Sequence, residues 1–154
     1  MLAVPEGRRG EIIAVCIRGQ RGIPKVPQLL GTLVADHGLA GDRHAGSRTR
    51  QVSLLDEALL QELAALGMPV APGVLGENLT VRGLSFAALR PGDRLRAGEQ
   101  ALLEVVEPRV PCRTLTPIDP RLPEVIVGRA GLLCRVLTGG PVAPADIIEV
   151  ANDP

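Results

Sequence analysis

Residues 91–108, "PGDRLRAGEQALLEVVEP", read as two β-strands, over about 93–97 and 101–106, joined by a turn near Gly98. The same pattern repeats on both sides of this pair. Upstream, "EIIAVCIRG" (11–19) is rich in Ile and Val and reads as a buried strand. "TLVADHGLAGDRHAG" (32–46) begins strand-like and ends in a glycine-rich loop, and "GENLTVRGL" (76–84) holds a short strand between glycines. Downstream, "GLLCRVLTGG" (131–140) and "ADIIEV" (145–150) read as a closing strand pair. "GQRGIPKVP" (19–27) is a loop, punctuated by Gly and Pro. Many short strands with Gly/Pro turns give a mostly β fold, a β-barrel with a few helical insertions. Closing the sheet also removes exposed edges, which suits such apolar strands.

One helix stands out. Ser53 is read as its N-cap, with Asp56 three residues on completing a capping-box-like pair. Leu54, Leu55, Ala58, Leu59, Leu63 and Leu66 follow at helical spacing, Gly67 fits the position after the C-cap, and Pro69 prevents continuation. These leucines read as core.

The chain has 154 residues, enough for one domain with a sizeable core, and its 45% hydrophobic content is that of a folded protein. The division expected is a polar lead-in over 1–10 and one domain over 11–150. Aromatic content is 1%, with Phe86 alone, so the core is built from Leu, Val, Ile and Ala. That scarcity argues against base-stacking nucleic-acid modules, and a net charge of zero provides no global field for nucleic acid or an anionic membrane. No apolar run approaches the ~18–20 residues of a membrane span, and no signal-peptide pattern opens the chain. Three cysteines, an odd number, then point to free thiols in a reducing cytoplasm. Cys16 and Cys134 lie inside predicted strands and read as small core residues.

Three stretches carry candidate chemistry. "GDRHAGSRTRQVS" (41–53) concentrates Arg43, His44, Arg48 and Arg50 and then presents Gln51 and Ser53 at the expected helix start, an arrangement suited to an anion such as phosphate. A solvated basic loop is the plain alternative, and a metal site from Asp36, His37, Asp42 and His44 has no fixed spacing behind it. In "GENL" (76–79), Glu77 and Asn78 offer hydrogen bonds to a heterocycle edge, though an ordinary turn looks the same. In "EPRVPCRTL" (107–115), Arg109 and Arg113 flank Cys112 and favour its thiolate, the nucleophilic and metal-binding form. A surface-loop cysteine of no consequence is the alternative. A Cys–His pair using His44 or His37 needs the two groups to meet in space. There is no P-loop, serine elbow, dinucleotide fingerprint or C-x-x-C. Lys25 is the only lysine, so anion sites here rely on guanidinium groups.

In order, "GLAGDRHAG", "RQVSLLD", "PGVLGENLTVRGL" and "LRPGDRLRAGEQALLEVVEPRVPCRTL" resemble the MOSC domain family, named after the C-terminal domain of molybdenum cofactor sulfurase, over roughly residues 10–150. The resemblance implies a β-barrel that binds the molybdenum cofactor, a pyranopterin dithiolene with a terminal phosphate. It implies that Cys112 ligates molybdenum or carries sulfur, and that the loop Asp42–His44, the segment Arg50–Ser53 with Gln51, and the turn Glu77–Leu79 with Asn78 hold the cofactor, with Lys25, Arg43, Arg109 and Arg113 as further contacts. Similar proteins reduce N-hydroxylated compounds; others transfer sulfur to the cofactor, and the family has a looser association with pyridoxal phosphate. The sequence shows neither the N-terminal β-barrel that accompanies the longer reductases nor a ferredoxin-like cysteine module. The expected partners are therefore a small-molecule substrate, a separate electron-donor protein or a cysteine desulfurase, and a second copy of the chain closing the pocket. A cofactor carrier without enzymatic activity is the third reading.

Overall fold

In a computed structural model, residues 5–151 of the chain are described. The lead-in over 1–10 falls partly outside them; its last two residues belong to the first strand, β1 (Arg9–Ile17). Ten more strands follow: β2 (Val26–Gln28), β3 (Gly31–Val34), β4 (Gly38–Leu39), β5 (Val52–Asp56), β6 (Leu79–Arg82), β7 (Arg94–Ala97), β8 (Ala101–Pro108), β9 (Leu132–Thr138), β10 (Gly140–Val142) and β11 (Ile147–Val150). The hairpin read at 91–108 is present as β7 and β8, paired from Ala97–Ala101 at the turn to Arg94–Glu104.

The sheet closes on itself. The order β11-β7-β8-β9-β5-β6-β1 is completed by pairing of β1 with β11, giving a seven-stranded barrel in which β5 and β6 are the parallel pair. Closure satisfies the edge groups that such apolar strands would otherwise expose. β2 continues the sheet beyond β1 as an edge strand. Its Pro27 stands opposite Cys16, whose own amide turns the other way to the carbonyl of Asn78, just before β6, so the missing proline N–H falls on the open edge. A small sheet, β10-β3-β4, lies beside the barrel.

Inward-facing residues of the barrel, among them Ile12, Val15, Leu54, Leu79, Val81, Leu95, Leu103, Val105 and Ile148, form one core. A second core lies outside the barrel wall, under the helix α1 (Glu57–Ala65) and the short helix α2 (Leu122–Val125), where Leu59, Leu60 and Leu63 meet Leu55, Leu75, Leu115 and Ile126.

Two expectations are corrected. The helix does not begin at Ser53. Residues 52–55 are buried on both faces as a central strand between β6 and β9, and a strand covered on both faces is a continuous apolar run that periodicity alone does not distinguish from a helix. Asp56 is the N-cap, its carboxylate accepting the Ala58 amide at 3.1 Å. The helix end is as expected, with Gly67 at φ 85° after Leu66. The two C-terminal strands do not pair with each other either. β9 lies between β5 and β8, whereas β11 closes the barrel between β7 and β1.

Candidate functional site

One end of the barrel carries a pocket of about 180 Å³. Four loops and two strand ends build it. Gly22, Ile23 and Lys25 come from the β1–β2 loop, Arg43, His44 and Arg50 from the β4–β5 loop, and Gly76 from the turn before β6. Arg109, Cys112 and Thr114 follow β8, and Ser53 and Leu133 belong to β5 and β9. The sequence scatters these groups between residues 22 and 133; the barrel brings them to one rim.

The cysteine at the rim is exposed, and its sulfur is hydrogen-bonded to the Thr114 hydroxyl. Partial burial pushes the Cys112 thiol up. The side-chain and backbone bonds from Thr114 and the charges of Arg109 and Arg50 outweigh it and hold the thiol below the ordinary cysteine value. Arg109 contributes as expected, but the other cation is Arg50, brought across the pocket, and not the neighbouring Arg113, which is exposed and outside the lining. Cys16 and Cys134 behave as core residues. Both are fully buried, and burial pushes both thiols up to about 12, with Glu77 adding to the rise at Cys16 and Lys25 opposing it.

The pocket is cationic, with Arg43, Arg50 and Arg109 in its lining. Arg109 is held in place by a bond from its Nη2 to the Leu75 carbonyl at 2.6 Å. Burial pulls this guanidinium below its usual value, which Glu77 and Cys112 oppose and Arg50 reinforces. Gly76 leaves the room: a Cβ there would stand 3.4 Å from the Arg109 Nη2 and 3.0 Å from Ile23.

Behind the arginines, Lys25 and Asp42 form an ion pair that is 3% and 6% exposed. Lys25 Nζ donates to Oδ1 at 2.9 Å and to Oδ2 at 2.8 Å and lies 3.0 Å from His44 Nδ1. Asp42 also accepts the amides of Arg18 and His44, both at 3.1 Å, so each of its oxygens takes two bonds. Burial alone would raise this carboxyl; bonds from the His44 side chain, Lys25 and the Arg18 amide reverse that and hold it far below the usual carboxylate range. With Asp42 occupied in this way, and Asp36 spent on Gln51, the metal site from Asp36, His37, Asp42 and His44 does not assemble. Among the described residues, no group of three or more His, Cys, Asp or Glu side chains is placed to hold a metal ion.

The remaining sequence candidates sit in the wall. Gln51 joins β5 to β9, accepting the Val136 amide at 2.9 Å. Asn78 staples three strands: it donates to the Cys16 carbonyl at 3.0 Å and accepts from the Ser53 amide at 3.0 Å and hydroxyl at 3.3 Å. Leu79 is barrel core, and Glu77 is fully buried, one oxygen accepting from Thr80 at 2.9 Å and Oε1 without a partner. Ser53 reaches the lining from a strand, and the helix α1 that follows it begins only at Glu57, outside the lining. Sequence reasoning missed Thr114, although a hydroxyl two residues after a cysteine is a recognisable cue. It also missed Gly22, Ile23, Gly76 and Leu133, which carry no chemical signal of their own.

Comparison with known proteins matches this architecture. The YUAD protein from Bacillus subtilis shares the fold with a TM-score of 0.79 at 23% identity, over 95% of this chain and 97% of that one. YiiM from Geobacillus stearothermophilus superposes with a TM-score of 0.74 at 25% identity, over 93% and 75% of the two chains, and YiiM from Escherichia coli with 0.72 at 26%, over 95% and 71%. A protein named "Reductase" from Gibberella moniliformis (strain M3125 / FGSC 7600) is 31% identical over 153 residues; the match takes in 94% of this chain and 27% of the fungal protein. The family model of the MOSC domain matches residues 41–149, from the loop that carries Asp42 and His44 to the strand that closes the barrel, and the chain belongs to the MOSC domain family.

Proposed function

We propose that the pocket binds the molybdenum cofactor, with Cys112 as the protein's thiolate ligand to molybdenum, and that the loaded protein reduces N-hydroxylated compounds. The observation that carries this reading is one exposed, acid-shifted thiol set among three guanidinium groups. The donor set fits the group. A bare metal ion would find a single soft ligand and no cage, whereas a metal that brings its own sulfur donors needs one more thiolate. A phosphate suits Arg43, Arg50 and Arg109, and Ile23 and Leu133 give an apolar wall for a ring. When bound, the cofactor would supply two-electron redox chemistry at an oxygen-accepting metal. The chain's own part is to present the Cys112 sulfur, neutralise the phosphate and fix the orientation. At about 180 Å³ the pocket is smaller than the ~300 Å³ at which ordinary ligand sites begin, so it encloses part of a pyranopterin. A second copy of the chain or the electron-donor protein completes the wall in this proposal. The three cysteines are free, and in this proposal the electrons are supplied by a separate donor protein.

The test is molybdenum content and oxidised-pterin fluorescence of protein purified from a host that makes the cofactor, followed by amidoxime reduction with an artificial donor. Both signals are expected in wild type, and their absence there defeats the proposal. Cys112→Ser should lose most of the molybdenum. Exposure of the Cys112 sulfur favours one second reading, a persulfide carrier charged by a cysteine desulfurase. A mass gain of one sulfur atom on Cys112 after desulfurase treatment, without reductase turnover, selects it. Bound cofactor with neither result selects a carrier.

A further inference from the structure

The net charge of zero hides a separation of sign. Three stretches that build the pocket mouth, 18–25, 40–51 and 109–116, hold seven arginines: Arg18 and Arg21 in the first, Arg43, Arg48 and Arg50 in the second, Arg109 and Arg113 in the third. The same stretches hold one carboxylate, Asp42, which is buried against Lys25. Among the described residues, no ion pair joins any of the seven to a carboxylate, whereas Arg82, Arg121, Arg129 and Arg135, outside these stretches, pair with Glu57, Asp119, Glu62 and Glu104. Because the whole chain is neutral, the rest of it carries the matching excess of carboxylate. A phosphate in the pocket uses Arg43, Arg50 and Arg109. Arg18, Arg21, Arg48 and Arg113 stand outside the lining and are left over. They border it closely. Arg21 precedes Gly22, Arg48 is two residues from Arg50, and Arg113 lies between Cys112 and Thr114; all three are exposed. Arg18 is tied to the same loop through the carbonyls of Arg21 and Pro24. Two exposed apolar side chains adjoin the lining, Val110 next to Arg109 and Val26 next to Lys25, at 78% and 52% exposure. We propose that this arginine collar, with Val110 and Val26, is the docking face for an acidic one-electron donor protein.

The donor role rests on the reductase reading; the charge separation does not. Reduction of R–NH–OH to R–NH₂ and water takes two electrons and two protons. A one-electron donor is oxidised once per visit and docks twice per turnover, and the protons come from solvent. Such a complex has to be short-lived. Small interfaces steered by opposite charge have that property, with apolar contacts at the centre and charges around them. The exposed Cys112 sulfur lies within the collar, so a partner seated there faces the pocket. The carboxylate excess elsewhere repels an acidic partner from the wrong faces, which orients the encounter. A lipid surface or a nucleic acid would meet the same charge but supplies no electrons. None of the collar residues is aromatic, so bases find no stacking platform, and Phe86 lines a separate pocket.

The test titrates cofactor-free protein with an acidic two-iron ferredoxin as probe, followed by NMR. Between about 20 mM and about 300 mM salt the Kd should rise by about tenfold or more. Arg21→Glu combined with Arg48→Glu, both outside the lining, should raise the low-salt Kd by about tenfold, and Arg96→Glu, exposed on β7, by less than about twofold. No binding at low salt, a Kd indifferent to salt, or an equal loss in Arg96→Glu overturns the docking face. Tighter binding to phosphatidylserine vesicles or to a single-stranded oligonucleotide than to the ferredoxin overturns it too. The wild-type salt dependence decides even where the double variant fails to fold. In cofactor-loaded protein, the double variant should lose amidoxime turnover with reduced ferredoxin and keep it with reduced methyl viologen. Loss with both donors, or wild-type turnover with methyl viologen alone, overturns the donor role. Wild type that turns over with neither defeats the reductase reading, and the titration of cofactor-free protein then decides the docking face by itself.

Discussion

Asp42→Ala tests the ion pair that shapes the anion side of the pocket. The substitution removes the partner of an ammonium that is 3% exposed and frees two backbone amides, of Arg18 and His44. Surface ion pairs are worth little, but an uncompensated buried charge costs about 3–5 kcal/mol. For a domain of this size each kcal/mol moves the melting temperature by about 2–4 °C, so a fall of about 6–20 °C is expected by circular dichroism. Lys25→Met combined with Asp42→Asn removes both charges and keeps one acceptor for the amides, and should recover more than half of the loss. The pH dependence follows from the depressed Asp42 carboxyl. A group whose folded pKa is lowered adds stability that is fully present above its unfolded value, ~3.9, and is lost as pH falls from there toward the folded pKa. Wild-type stability should therefore drop between about pH 4 and 2 more steeply than that of the double variant. A loss under about 1 kcal/mol for Asp42→Ala, or parallel acid limbs for the two proteins, would refute the reasoning.

Iodoacetamide at pH 7 should label Cys112 first and leave Cys16 and Cys134 unmodified in the folded protein, and Arg109→Gln should slow the Cys112 reaction; peptide mass mapping reads both. Gly73→Ala should destabilise by more than about 1 kcal/mol in urea denaturation, because Gly73 has φ 89° and an added Cβ would strike the Lys25 carbonyl. Asn78→Ala, which removes the staple between β1, β5 and β6, should cost about 2–4 kcal/mol in the same assay. Leu29→Ser, at a side chain 93% exposed, should stay within about 0.5 kcal/mol of wild type.

What was legible in the sequence is what local chemistry dictates. Gly98 marked a hairpin because two apolar runs flank a turn residue, and Cys16 and Cys134 read as core because they sit inside such runs. The misplaced helix start shows the limit. "VSLLD" has helical spacing and a plausible cap, but burial on both faces is a property of the neighbours β6 and β9, invisible in the five residues themselves. The pairing of β11 with β1 joins residues 9–11 to 147–149, and no local signal spans that distance. The site divides in the same way. Cys112 and the arginines were readable as residue types, while the partnership of Cys112 with Arg50 depends on loops meeting at the barrel rim.

The GENL turn shows how one motif serves the fold and the pocket together. Asn78 has both of its side-chain atoms bonded to β1 and β5, so its polar chemistry is spent on holding the wall. Gly76, two residues earlier, contributes no chemistry and yet opens the space in front of Arg109. Between them Glu77 is buried with one oxygen unsatisfied, which is costly unless something compensates. The compensation is the field of Arg109, which Glu77 in turn raises against the burial that lowers it. A carboxylate behind the pocket lets a guanidinium stand desolvated at its face, close enough to lower the Cys112 thiol. Removing the Glu77 charge would therefore reach the sulfur through Arg109 without touching any ligand.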